Sequence, residues 1–104
     1  MKVWLDDERL APKGWKRSKT AAQAVGRLVC DHVEEISLDH DLGDKHVPEQ
    51  TGYTVLQWIE REVFEFGFLP PVIHIHTANL AAREKMLSAV RSIEVQDLKN
   101  RGLL

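Results

Sequence analysis

Three short apolar stretches in this chain each run straight into a cluster of polar or charged residues. Val3-Trp4-Leu5 runs into Asp6-Asp7-Glu8-Arg9, Ile36-Ser37-Leu38 into Asp39-His40-Asp41, and Val72-Ile73-His74-Ile75-His76 into Thr77-Ala78-Asn79. Stretches this short, rich in β-branched and aromatic residues, read as buried strands. Ionisable groups at the end of such a strand lose hydration unless they are paired or bound. The repeated pattern therefore predicts one shared site at three strand ends.

The segments between these strands are helical in period. Thr20 is an N-cap for a helix carrying Ala21, Ala22, Ala24, Val25, Leu28 and Val29, ending near Cys30 to His32. Gly26 weakens it by about 1 kcal/mol relative to Ala, and Cys30 falls late enough in the pattern to read as core. Thr51 caps a second helix with Tyr53, Val55, Leu56, Ile59, Val63 and Phe66 on a wide apolar face that Trp58 broadens. Gly67 stops it and Pro70-Pro71 bars continuation. Asn79 caps a third, from about Leu80 to Ile93, with Leu80, Met86, Leu87, Val90 and Ile93 as its stripe. Trp15 to Ser18 adds a short basic strand suited to a sheet edge. Residues 94–104 lack a firm pattern; they extend the helix, lie on the core through Val95 and Leu98, or serve a partner.

Strands alternating with helices predict an α/β fold: an open parallel sheet of about four strands with helices on both faces. In such sheets ligands gather at the carboxyl ends of the strands, near the switch in strand order. All three charged stretches fall at carboxyl ends. The chain of 104 residues suits one domain over 1–93 with a C-terminal tail over 94–104.

Bulk composition excludes several classes. No apolar run approaches the roughly 20 residues that span a bilayer, and no basic-then-apolar leader marks export, so a cytoplasmic location is expected. A lone cysteine excludes an internal disulfide framework. The net charge of −2 gives no general pull toward nucleic acid. Basic and aromatic residues do not read as interleaved on any strand, as an RNA-stacking sheet would need. Ser37 and Thr77 stand in no nucleophile-elbow context, and there is no Walker-type loop. From Asp31 to Glu49 there are seven acids and one base, Lys45. Such a patch repels bare phosphate but attracts a divalent cation, which then attracts phosphate.

Asp6, Asp7 and Asp39 supply the hard oxygens that Mg or Mn prefers. The bland alternative is that they are caps and surface charges. His74 and His76, two apart on a strand, share a face, with Ile73, Ile75 and Val72 expected on the other. They read either as metal ligands or as acid–base catalysts. His40 and Asp41 fall in the loop or behind the ligands. Arg9 offers a clamp for a phosphate oxygen or merely balances its acidic neighbours. Thr77 and Asn79 offer polar groups at a helix start, where free amides favour an anion; a simple N-cap is the alternative for Asn79. Arg83 reads as a solvated helix face, and Lys45 and His46 carry only a weak signal.

At these residues the chain resembles the receiver domains of two-component signalling. Val3-Trp4-Leu5-Asp6-Asp7 is similar to their first strand with its paired metal-binding acids, Ile36-Ser37-Leu38-Asp39 to the strand ending in the phospho-acceptor, and Thr77-Ala78 to the end of the fourth strand. It departs from them in lacking a fifth strand with its lysine, so it reads as a receiver-like (flavodoxin-like) fold truncated at the C-terminus. The stretch between its first two strands is too broken by Pro12 and Gly14 for the usual first helix. It more closely resembles the cyclic-phosphate-processing receiver domains, through Leu5-Asp6-Asp7-Glu8-Arg9, Ser37-Leu38-Asp39-His40-Asp41-Leu42-Gly43, Thr51-Gly52-Tyr53 and His74-Ile75-His76-Thr77-Ala78-Asn79.

That resemblance implies a metal-dependent phosphoesterase acting on an RNA 2′,3′-cyclic phosphate end or a cyclic nucleotide. Asp6, Asp7 and Asp39 would hold the metal, His74, His76 and Asp39 would carry catalysis, and Arg9, Thr77 and Asn79 would bind phosphate. The alternative class is a receiver-like binding or signalling module for a metal, a nucleotide or a protein. A homodimer or protein partner would engage its edge strand or its tail.

Overall fold

The structure is a computed structural model that describes residues 1–42 and 50–104. Lys45 and His46 lie outside the described residues. The order is β1 (Lys2–Leu5), β2 (Trp15–Ser18), α1 (Ala21–Cys30), β3 (Glu35–Leu38), α2 (Gly52–Phe66), β4 (Val72–Ile75) and α3 (Leu80–Asn100). The strands form one parallel sheet in the order β2-β1-β3-β4. This is the receiver-like arrangement predicted, with the basic strand β2 at an edge.

Parallel register sorts the side chains. Val3, Leu5, Ile36 and Leu38 share one face and are fully buried. They join Ala24 and Leu28 of α1, Val55, Leu56, Ile59 and Val63 of α2, and Met86, Val90 and Ile93 of α3 in one core. A fully buried aliphatic side chain of this size contributes roughly 1.5–3 kcal/mol, so this layer carries most of the stability.

The helices lie on one face, not on both. α1 packs on α2 and α2 on α3, which no pair separated by the sheet can do. Chain direction explains it. The crossovers β2–α1–β3 and β3–α2–β4 move the same way across the sheet, and right-handed crossovers in one direction put their helices on one side. The opposite move, from β1 to β2, is the one that would place a helix on the other face. It is made by the short loop through Pro12 and Gly14, with no helix among its residues.

No helix among the described residues lies on the other face, and register puts Lys2, Trp4, Trp15, Arg17, Glu35, Ser37, Val72 and His74 on it. Two sequence expectations change here. Val72 sides with His74, not with Ile73 and Ile75, and is 59% exposed. Basic and aromatic residues do interleave, Lys2 with Trp4 and Trp15 with Arg17. Each strand gives only two residues to a face, so the pattern emerges from the assembled sheet.

The helix caps follow the sequence. Thr20 Oγ1 accepts from Gln23 N, Thr51 Oγ1 from Tyr53 N, and Asn79 Oδ1 from Ala82 N. Gly67 ends α2 in the left-handed region at φ 65°. α3 continues past Ile93 to Asn100, whose Nδ2 donates to the Val63 carbonyl of α2. Residues 94–100 therefore extend the helix. Val95 and Leu98 are exposed instead of lying on the core. The apolar stripes are also narrower than their sequence pattern. Val29, Cys30, Phe66 and Leu80 all face solvent, because each lies at a helix end beyond the reach of the sheet or the next helix. No helix among the described residues is long and apolar enough to cross a membrane.

Candidate functional site

The ladder continues one step beyond the strands. Asp39 N donates to Leu5 O and His76 N to Leu38 O, each at 3.0 Å. Asp6, Asp39 and His76 thus stand at one level on the neighbouring strands β1, β3 and β4, at their carboxyl ends. The sheet changes direction at β1 and β3, so this is the switch point where a ligand is expected. One ligand atom from each of the three lies within 4.8 Å of the others, and theirs is the one such group among the described residues.

Asp6 is 0% exposed, which no carboxylate tolerates without partners. Its Oδ1 accepts from the amides of Glu8 and Arg9 at 2.9 and 2.8 Å, and its Oδ2 meets His76 Nε2 at 3.1 Å. Burial pushes the Asp6 carboxyl up. The two amides and His76 outweigh it and hold the carboxyl below its ordinary value. Asp39 Oδ1 accepts from the His40 amide at 2.8 Å.

His76 is held on three sides. Its ring lies flat on Trp4, its Nε2 points at Asp6, and its Nδ1 is 2.7 Å from Ser37 Oγ. Burial lowers the imidazole, against Asp6 and Asp39, which raise it; the net is downward, so the neutral ring is favoured. A carboxylate only accepts, so neutral His76 carries its proton on Nε2 and Nδ1 accepts from Ser37. The order Ser37–His76–Asp6 has the form of a nucleophile relay. Ser37, however, is 3% exposed inside β3 and cannot reach a substrate. It positions the ring.

The remaining candidates separate. His74 sits one pleat back, half-exposed, and its Nε2 meets Glu35 at 3.0 Å. It is not brought to the site; a two-residue step along a strand is about 6.6 Å. Asp7 is half-buried and outside the group of three. His40 Nδ1 meets Asp41 Oδ1 at 2.7 Å, away from Asp6 and His76. Arg9 is at the site: its Nη1 donates to the His76 carbonyl at 3.1 Å. Thr77 Oγ1 and Asn79 Oδ1 accept from local backbone amides, so their acceptors serve the α3 cap. Arg83 is not a solvated face; Nη1 donates back to Ile75 O at 3.1 Å.

Gly52 is a site residue that spacing alone did not single out. A Cβ there would overlap the Asp39 carbonyl, and Gly52 N donates to His40 O at 3.1 Å. The missing side chain lets the start of α2 close on the end of β3. Trp4 was legible only as a strand former. Its Nε1–H is the one buried side-chain polar atom without a partner among the described residues, a cost of about 1–3 kcal/mol that its ring contacts must offset.

With this geometry in place, the comparison with known families is decisive. The family model described as cyclic-phosphate processing receiver domain matches residues 1–92. The chain belongs to that family. No curated protein and no solved structure matches it. The match spans every strand of this receiver domain, both flanks of its site and α3 as far as Ser92. It supports a role in cyclic-phosphate processing, and with it a phosphate-bearing substrate.

Proposed function

We propose that this receiver domain is a metal-dependent phosphoesterase that opens a cyclic phosphate, either an RNA 2′,3′-cyclic end or a cyclic nucleotide. The observation that carries the proposal is the convergence of Asp6, Asp39 and His76 within 4.8 Å at the switch point, in a family described by cyclic-phosphate processing.

Two carboxylates beside one neutral imidazole fit a hard divalent cation, Mg or Mn, which takes one or two carboxylates and fills its shell with water and phosphate oxygens. Asp6 and Asp39 would hold it. Such a cation supplies charge neutralisation at phosphate and a more acidic water. The chain's own residues do the rest. With a cation drawing the Asp6 carboxylate away from Nε2, the ring could instead hold its proton on Nδ1, donated to Ser37 Oγ, and Nε2 would then accept the proton of an attacking water. The water oxygen bonds to phosphorus as its proton passes to His76, one ring P–O bond breaks, and the departing oxygen takes a proton from solvent, to which His76 later returns its own. Arg9, fixed beside His76, offers its remaining N–H donors to the phosphoryl oxygens.

The test is turnover of a 2′,3′-cyclic nucleotide in Mg²⁺, in Mn²⁺ and in EDTA, with the wild type and H76Q. Ring opening that needs metal, and falls about a hundredfold in H76Q while nucleotide binding survives, supports the proposal. No turnover in any metal with His76 intact rejects it in favour of a binding module.

A further inference from the structure

The face of the sheet that carries no helix among the described residues is not a bland surface. Its rings form a continuous tract. Trp15 meets Trp4 edge-to-face at 6.0 Å, Trp4 stacks on His76 at 3.8 Å, and Trp15 meets His74 at 6.3 Å. The tract starts at the β2 edge and ends at the candidate site, on that same face. Trp15 is half-buried and His74 exposed, so both present ring surface.

Basic charge lies at the β2 edge of the sheet, beside the tract. From Leu10 to Cys30 the chain has five basic residues (Lys13, Lys16, Arg17, Lys19 and Arg27) and no acid. Where the β2 edge meets α1, Arg17, Lys19 and Arg27 line an open groove in which Asp31 is the single acid; Arg17 Nε donates to the Asp6 carbonyl and Arg27 Nε to Ser18 Oγ. On the face itself Glu35 pairs with Lys2, and its other carboxylate oxygen meets His74 Nε2. Among the described residues, Asp6 and Asp7 follow β1 and Asp39 and Asp41 follow β3, at the carboxyl ends of the strands. A basic edge, an aromatic face and an acidic end are arranged in that order.

We propose that this face binds the nucleotides preceding a 3′-terminal cyclic phosphate, so that the substrate is a single-stranded RNA end and not a free mononucleotide. This rests on the phosphoesterase reading above. Phosphates of the strand would follow the basic β2 edge, where they are attracted without metal. Bases would stack on the Trp15 and His74 rings, which tolerate any sequence because every base has a π-face. The terminal phosphate would then reach Asp6 and Asp39, the acidic end that bare phosphate avoids and a cation makes hospitable.

The probes are a short uridine oligomer ending in a 2′,3′-cyclic phosphate and 2′,3′-cyclic uridine monophosphate, both bound in Mn²⁺ to protein carrying H76Q, so that ring opening is slow. The oligomer should bind at least about tenfold more tightly than the mononucleotide, with affinity falling as salt rises. W15A should weaken the oligomer about tenfold and leave the mononucleotide unchanged; W15F should restore most of the loss. K19E, an exposed change, should weaken the oligomer and flatten its salt dependence even if W15A folds poorly.

An oligomer no tighter than the mononucleotide, or oligomer affinity untouched by both W15A and K19E, overturns the inference. So does a protein whose face is closed by a second copy, seen as a dimer that W15A dissociates and that binds no oligomer. Turnover of the mononucleotide with no advantage to the oligomer refutes this inference alone. An oligomer bound as predicted but opened in no metal refutes the phosphoesterase reading and leaves the face assigned.

Discussion

The His76 imidazole lies flat on the Trp4 indole, ring centroids 3.8 Å apart and planes 4° from parallel. The contact joins β1 to β4 across β3 and covers the ring that faces Asp6. Burial is the leading cause of the lowered His76, and Trp4 supplies part of that cover. In W4A the imidazole should titrate at higher pH than in the wild type, read by NMR of the ring protons. Stability should fall by about 3 kcal/mol, the low end for losing a large aromatic ring. An unchanged titration would mean that Trp4 does not set the environment of His76.

Acid should unfold the protein in two steps, with the sign fixed by direction. Both His76 and Asp6 lie below their ordinary values of 6.5 and 3.8 in the folded chain. For each group the unfolded chain binds the proton more readily, so its contribution is complete above the ordinary value and is lost as pH falls through the folded one. Stability should therefore fall below pH 6.5 and again below 3.8. In H76Q the first decline should shrink, and in D6N the second. Urea midpoints across pH measure both; a stability that rises on acidification would contradict the assignment.

Two glycines should respond oppositely to Ala. Gly26 sits exposed within α1 with nothing near the position of a Cβ, so G26A should stabilise by up to about 1 kcal/mol. At Gly52 a Cβ meets the Asp39 backbone. G52A should cost about 1–3 kcal/mol and weaken Mn²⁺ binding by displacing the end of β3. Denaturation and metal titration of the two variants check this. Equal effects would mean that α2 does not need its close approach to Asp39.

Ser37 should matter through His76 alone. S37A removes the partner of Nδ1 inside a buried strand and should cost about 1–3 kcal/mol. Nitrogen-15 shifts of the ring should show Nδ1 no longer hydrogen-bonded. Cysteine or threonine, which restore a donor, should rescue the shift in part. A ring spectrum unmoved by S37A would remove Ser37 from the site.

Much of this was legible in the sequence because it is local. The strands, the threonine and asparagine caps and the Gly67 stop depend on a few neighbouring residues. So did the convergence of Asp6, Asp39 and His76, since parallel strands share one end. The covered face was not local. Whether helices flank one side or both depends on what the Pro12–Gly14 loop does not build, and from that follow the exposure of Val72 and the platform around Trp15. His74 and His76 look alike in sequence; only register shows that His74 pairs with Glu35 one pleat short of the site. Ser37 and Gly52 did not stand out by spacing because their roles lie in contacts with other elements.

A divalent cation is proposed between Asp6 and Asp39, within reach of His76. Anomalous diffraction from crystals soaked with Mn²⁺ and a 2′,3′-cyclic nucleotide tests it directly. A manganese peak bounded by Asp6 Oδ2 and an Asp39 carboxylate oxygen, with the phosphate on its open side, is the predicted result. No peak there, or a peak that avoids both aspartates, would contradict it.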